Sequence, residues 1–359
     1  MAKDKVNQEK LNDALQIILS HLQDNSGEAN IEYLKEATAA LVQKKPLPVE
    51  HIPNNKLANK GVPDEHIIPN NKLANSLTDE DNFSLSEFDM RVSKRGAKRE
   101  IKNATVISYE GSDIEFQSKN PFTEYDRQVY EGIVSIWVTG TSVMSPAMIY
   151  RAMNGLNSED VGFNAKISES IMSSIRKMRF INVKTNAKEE LEQRKVDISQ
   201  FDLELDDNGF LERNLLYAET ATIPYRNSSG AGIAHAIKIV KVPVLYEYSR
   251  ALKQVLTVPS ELLSICDENN NPIRNSEQRI VVKGYLLRRI KVMQGKTQQS
   301  SRIKLSAIYS LFPKKLNRTQ QKRIKDYAIE VLQYWQRKNF IKDFELIKKH
   351  GGYYAFDIK

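Results

Sequence analysis

The stretch Asn317-Arg318-Thr319-Gln320-Gln321-Lys322-Arg323-Ile324-Lys325-Asp326-Tyr327-Ala328-Ile329-Glu330-Val331-Leu332-Gln333-Tyr334-Trp335 decides how the C-terminal part of this chain is read. Ile324, Tyr327, Ala328, Val331, Leu332 and Trp335 recur at three- and four-residue spacing, which marks one buried face of a long helix. Asn317 is a favoured N-cap, and Gln320 stands where a capping-box partner reaches back to it. Working outward, residues 306–312 read as a short helix stopped by Pro313. Residues 279–294 read as a longer one, with Val282, Tyr285, Leu286, Arg289 and Ile290 marking its period. After the long helix, residues 340–347 and 353–358 read as two strands around a His350-Gly351-Gly352 turn.

The same order is expected once before. Thr123 can cap a helix through Val138, with Val129, Tyr130, Ile133, Ile136 and Trp137 inward and Gly140 ending it. Ser145-Pro146, a serine cap followed by proline at the first helical position, opens a second helix that carries Met148, Ile149, Ala152 and Met153 and stops at Asn154-Gly155. Asn164 opens a third, with Ile167, Ile171, Ile175 and Met178 inward. Residues 180–184 then alternate like a strand. A long polar excursion is expected to about Ala236, and Ile237, Val240, Val242 and Leu245 read as the returning strand. Three helices followed by a two-stranded hairpin is the winged-helix order, a helix-turn-helix variant. The halves also echo one another: Ile149-Tyr150 and Ile308-Tyr309 lie 159 residues apart, and Phe180-Ile181 and Phe340-Ile341 lie 160 apart. That fits duplication of one unit, or coincidence between two common helical patterns.

The expected fold is therefore mainly α with small β-hairpins (α+β), as two tandem winged-helix domains at 119–250 and 276–359. The first carries an insertion at about 185–236, and residues 251–275 form an interdomain linker. Residues 1–45 read as an N-terminal helical segment, and 46–118 as a flexible linker. Within that linker Ile52-Pro53-Asn54-Asn55-Lys56-Leu57-Ala58-Asn59 returns as Ile68-Pro69-Asn70-Asn71-Lys72-Leu73-Ala74-Asn75. The repeat is either a duplicated linker piece or a docking motif for a protein partner. A basic run from Arg91 to Arg99 is either a solvated stretch or an arm touching phosphates.

Charge narrows the function. Net charge is +8, but residues 271–359 carry 21 Lys/Arg against 6 Asp/Glu, a net +15 that leaves the other 270 residues at −7. A compact basic segment suits a polyanion, nucleic acid first, ahead of an anionic membrane or acidic protein. No run of 18 apolar residues predicts a membrane span, and no secretory signal is expected at the N-terminus. Cys266 alone cannot form an internal disulfide or a zinc finger, which fits a reducing, cytoplasmic setting.

Thr123-Glu124-Tyr125-Asp126-Arg127, then Ile149 through Gly155, then Ser170-Ile171 through Ile175-Arg176-Lys177 resemble the first winged helix of replication initiator (Rep) proteins from Gram-positive plasmids and integrated mobile elements. Gly284-Tyr285-Leu286-Leu287-Arg288-Arg289-Ile290 and the segment from Trp335 to Phe340-Ile341 resemble the second. The resemblance covers about 120–200 and 240–358 and consists of loose patterns. It implies binding to double-stranded origin DNA, often at repeats, and recruitment of host replication proteins. Related initiators also switch between homodimers and DNA-binding monomers.

A recognition helix needs a polar outer face to meet base edges. In the first domain that stripe is Lys166, Ser170, Ser173 and Lys177; in the second it is Arg318, Gln321, Lys322 and Lys325. Arg pairs with guanine and Gln with adenine, while lysines hold phosphate. Lys348, Lys349 and His350 fall at the wing tip. Each position could equally be solvated surface. Arg288 and Arg289 lie on the first helix of the second domain, where internal packing or an ion pair competes with DNA contact.

No enzyme and no cofactor or metal is expected. Gly295-Lys296-Thr297 lacks the earlier glycine of a phosphate loop, since that position is Ile290. Gly230-Ala231-Gly232 reads as a loop and is followed by His235 where a dinucleotide motif needs glycine. The five histidines never pair at ligand spacing, and Cys266 follows an apolar run. Asp206 and Asp207 alone leave a two-metal nuclease as a remote alternative. A transcriptional repressor of the same fold, or a partitioning or structural adaptor, is the competing reading.

Overall fold

Local signals set most element boundaries. The computed structural model describes residues 63–77, 105–108, 114–118, 122–156, 162–227, 230–295, 301–312, 316–349 and 352–359. The helices expected at 7–23 and 30–43, the first IPNNKLAN copy and the basic run at 91–99 lie outside these residues. Two units divide the chain: Lys60–Thr220 with Ala236–Lys359, and Met1–Asn59 with Ala221–His235.

Strand β1 (Glu65–Pro69) and helix α1 (Lys72–Ser76) come first, followed by β2 (Thr105–Ser108) and β3 (Ile114–Ser118). Helix α2 (Glu124–Val138) begins at a full capping box between Thr123 and Asp126. Then come β4 (Val143–Met144), α3 (Pro146–Asn154) and α4 (Ala165–Met178), each helix capped by the residue expected, Ser145 and Asn164. Gly155 ends α3 at φ 61°, and a Cβ there would sit 2.0 Å from the Ser260 carbonyl oxygen, so no other residue fits. Next are β5 (Asn182–Asn186), α5 (Lys188–Gln193), β6 (Phe210–Asn214), β7 (Ala218–Asn227), β8 (Gly230–Ile239), α6 (Val244–Ala251) and β9 (Val255–Pro259). The C-terminal module is α7 (Glu277–Gln294), β10 (Arg302–Lys304), α8 (Leu305–Tyr309), α9 (Arg318–Arg337), β11 (Phe344–Lys349) and β12 (Gly352–Ile358). The chain is thus mixed helix and small antiparallel sheets.

In the C-terminal module the three strands form one sheet in the order β10–β12–β11, with β11 and β12 joined as the expected hairpin. The N-terminal module departs from expectation. Its strand after the third helix, β5, does not meet the returning strand. It sits in a four-stranded sheet ordered β2–β3–β5–β6, while β8 pairs with β4 through Val143↔Lys238 and Met144↔Ile237. The polar excursion at 185–236 therefore contains strands, and Gly230-Ala231-Gly232 lies in β8. Val240 and Val242 lie past the end of β8, and Leu245 belongs to α6, which starts after Pro243. Phe180 precedes β5 and is exposed. Apolar alternation identifies a strand-like segment, but strand pairing is a long-range choice that alternation does not encode.

Two segments read as linkers are partly folded. β1 pairs along its length with β9, from Glu65↔Pro259 to Pro69↔Val255. The second IPNNKLAN copy thus supplies a strand end and a helix whose cap is the buried Asn71, accepting 2.6 Å from the Ala74 backbone N–H. Adjacent residues of a strand face opposite sides, and here Ile67 packs into the N-terminal core while Ile68 packs into the C-terminal one. The first copy has one isoleucine where the second has two, Ile67-Ile68.

Helix α7 is shared in the same way. Ile280 and Val281 join the N-terminal core, and Val282, Leu286, Leu287 and Ile290 the C-terminal one. A helix with apolar residues on both sides is a buried helix. Where α7 meets α2 the contact is polar. Buried Arg288 pairs with Glu124 and Glu131, and Arg127 pairs with Glu131 and donates to the Pro69 and Ala74 carbonyls and to Asn75 Oδ1. Arg288 is therefore an internal ion-pair residue, and Arg289 is exposed.

Candidate nucleic-acid interface

Helix α9 is fixed at both ends. At its start, Asn317 Oδ1 accepts from the Gln320 N–H at 2.9 Å, and Gln320 Oε1 accepts from the Asn317 N–H at 3.0 Å. Toward its end, buried Trp335 donates its indole N–H to the Leu262 carbonyl at 2.8 Å, and Tyr334 donates its hydroxyl to Glu261 O at 3.0 Å. The expected stripe of Ile324, Tyr327, Ala328, Val331, Leu332 and Trp335 is buried throughout. Opposite it, Arg318, Lys322 and Arg323 are exposed over the first two turns.

The other two expected positions on α9 are half-buried and engaged. Gln321 donates one amide hydrogen to Leu316 O at 3.1 Å, which ties its side chain to the lead-in to the helix. Lys325 Nζ lies 3.4 Å from Asp326 Oδ1 and 4.4 Å from the centre of the Tyr353 ring. Tyr353 belongs to β12, so Lys325 ties the helix to the hairpin.

On the hairpin, Lys348 and Lys349 are exposed near the tip; His350 lies outside the described residues. Lys348 pairs across the strands with Tyr353 and sits 5.3 Å from its ring centre, and Lys349 sits 5.6 Å from that of Tyr354. The ladder shifts register between Ile347 and Lys348, a bulge of the kind that re-aims a side chain. The structure thus brings the α9 residues and the wing lysines onto one module, with Tyr353 between them. Sequence reasoning missed Arg323, Tyr353 and Tyr354. The tyrosines carried no local signal: that Lys348 stands opposite Tyr353 and Lys349 opposite Gly352 follows from the register of β11 against β12.

The N-terminal stripe fares differently. Lys166 and Ser173 are exposed and Ser170 is half-buried on α4. Lys177 points inward: its Nζ lies 2.5 Å from Asp126 Oδ2, the carboxylate that completes the cap of α2. Beside it on the outer face, Arg176 pairs with Glu169. This face therefore carries its own counter-charge, and the face of α9 is the more cationic of the two.

Among the described residues no group of three or more His, Cys, Asp or Glu side chains is placed to hold a metal ion. None of the described helices is long and apolar enough to cross a membrane.

No family model matches the sequence, and no curated protein matches it. Among solved structures, the chain is similar to two crystal structures of RctB domains 2 and 3. One, a selenomethionine derivative, shares 14% identity over 72% of this chain and 90% of that chain, with a TM-score of 0.34. The other shares 13% identity over 72% of this chain and 91% of that chain, with a TM-score of 0.38. Overlap of that extent carries no functional argument, which rests on the residues above.

Proposed function

We propose that this chain is a non-enzymatic, sequence-specific double-stranded DNA-binding protein and acts as the replication initiator of a plasmid or mobile element. Its C-terminal module reads as a winged helix, with α9 as the recognition helix and β11–β12 as the wing. The observation that carries this reading is the single cationic face made by Arg318, Lys322, Arg323 and Lys325 of α9 together with Lys348 and Lys349 of the hairpin. A helix that presents base-reading and phosphate-holding side chains beside a basic hairpin suits a major groove and its flanking backbone. Lys166, Ser170 and Ser173 of α4 are a second, weaker contact. The initiator role draws on the resemblance in sequence to plasmid Rep proteins; origin repeats and host replication proteins are the partners it implies.

Binding is tested by salt. Each lost phosphate contact flattens log K against log salt by about 0.9, so Lys322→Ala with Lys325→Ala should flatten it by about one to two units. An unchanged slope would remove α9 from the interface. The role is tested by supplying the gene in trans to an origin fragment of its own element. A folded protein that represses a promoter but sustains no origin would be a repressor instead.

A further inference from the structure

Two lysines from different elements share one aromatic ring on the cationic face of the C-terminal module. Lys325 reaches Tyr353 from α9 at 4.4 Å, and Lys348 reaches it from β11 at 5.3 Å, both within the range of a cation–π contact. The ring is not there to fill the core. Tyr353 is 49% exposed, whereas Ala355 and Phe356 on the same strand are buried. The bulge between Ile347 and Lys348 falls at the residue that this ring holds.

A free lysine is among the most mobile side chains, and ordering it on binding opposes affinity. A ring whose π face is negative orders such side chains beforehand. Resting on the reading that α9 and the hairpin contact DNA, we propose that Tyr353 is a positioning residue that holds Lys325 and Lys348 ready for duplex phosphates on either side of the groove. Tyr353 itself makes no contact with the bases. It acts by lowering the ordering cost of the two lysines, of which Lys325 is also held by Asp326 Oδ1 at 3.4 Å, and it couples the angle of the hairpin to that of the helix.

The experiment measures binding of the full chain to a fluorescently labelled mixed-sequence duplex across a salt series. Wild type is compared with Tyr353→Ala, Tyr353→Phe, Lys348→Ala and Lys322→Ala. Because Tyr353→Ala keeps both lysines, its log K line should run parallel to wild type, displaced to weaker binding by roughly tenfold for two side chains that must now be ordered on binding. Its thermal midpoint should stay at the wild-type value, and Tyr353→Phe should bind as wild type does. A Tyr353→Ala line on top of wild type overturns the proposal. So does one flattened to the slope of Lys348→Ala, which would mean that the hairpin itself is lost, or a failure of Tyr353→Phe to bind normally. Lys322→Ala reports separately on the underlying reading: if it leaves the slope unchanged, α9 is not at the DNA and that reading falls first.

Discussion

Arg288 Nη1 lies 3.3 Å from Glu131 Oε1, and Arg127 Nε lies 3.0 Å from the same oxygen. One buried carboxylate thus joins α7 of the C-terminal module to α2 of the N-terminal one. Burial alone would raise the Glu131 pKa; Arg288, His66 and Arg127 overcome it and hold the group at about 2. Replacing Arg288 with Met would leave Glu124 buried without its arginine and Glu131 with only Arg127 and His66 against it. The expected loss is about 3–5 kcal/mol, read from urea unfolding at neutral pH. The folded pKa of Glu131 is depressed, so its contribution is present above pH 4.5 and is lost as pH falls toward 2. Wild type should therefore lose its urea resistance with acid more steeply than Arg288→Met.

Lys283 is a second buried cation at this junction. Its Nζ donates to Asn154 Oδ1 at 2.9 Å and to Leu263 O at 2.7 Å, with no carboxylate in either bond. Burial pushes its pKa down from 10.5 to about 7. The unfolded chain then binds a proton that the folded chain has released, from about pH 7 up to 10.5. The stability due to this group rises through that window and is lost as pH falls through 7. Urea midpoints should climb between pH 7 and pH 9 in wild type and climb less in Lys283→Met. Equal slopes in the two proteins would refute the assignment.

Gly284, one residue on, lets α7 approach α2. A Cβ on it would sit 2.1 Å from Gln128 Cδ, and the buried Gln128 amide already bonds Glu124 and Glu131. Gly284→Ala must expel that amide, at a cost of about 1–3 kcal/mol. Thermal unfolding should show it, although alanine favours an isolated helix by about 1 kcal/mol. A gain in stability would mean that the two helices slide apart freely.

Lys177 separates folding from the proposed DNA contact. Its ion pair with Asp126 supports the capping box of α2. Lys177→Ala should lower the thermal midpoint while leaving the salt slope of duplex binding at its wild-type value. A flattened slope with unchanged stability would restore Lys177 to the DNA-facing stripe.

Asn71 tests the second repeat copy. It caps α1 and donates Nδ2 to Leu245 O at 3.3 Å. Asn71→Ala removes a cap worth about 1 kcal/mol together with the Nδ2 bond to the Leu245 carbonyl, so a loss of about 1–2 kcal/mol is expected in urea unfolding.

Charge segregation and the caps at Thr123, Ser145, Asn164 and Asn317 were legible because each acts within a few residues of chain. The same holds for the buried stripe of α9, whose period is a property of one helix. The candidate interface was half legible. Arg318 and Lys322 follow from that period, but Tyr353 enters only once α9 and the hairpin are side by side.

By itself, the sequence determined where helices start and stop, which faces are apolar, and that the C-terminal segment is cationic. These depend on backbone hydrogen bonding and side-chain spacing over one or two turns. Tertiary structure alone decided that β5 pairs with β3 and β6, that the second repeat copy is wedged between two cores, and that Lys177 turns inward. It also set Arg288 against a carboxylate 157 residues away. Those outcomes are competitions among distant groups for the same buried partner, and nothing in a local window ranks the competitors.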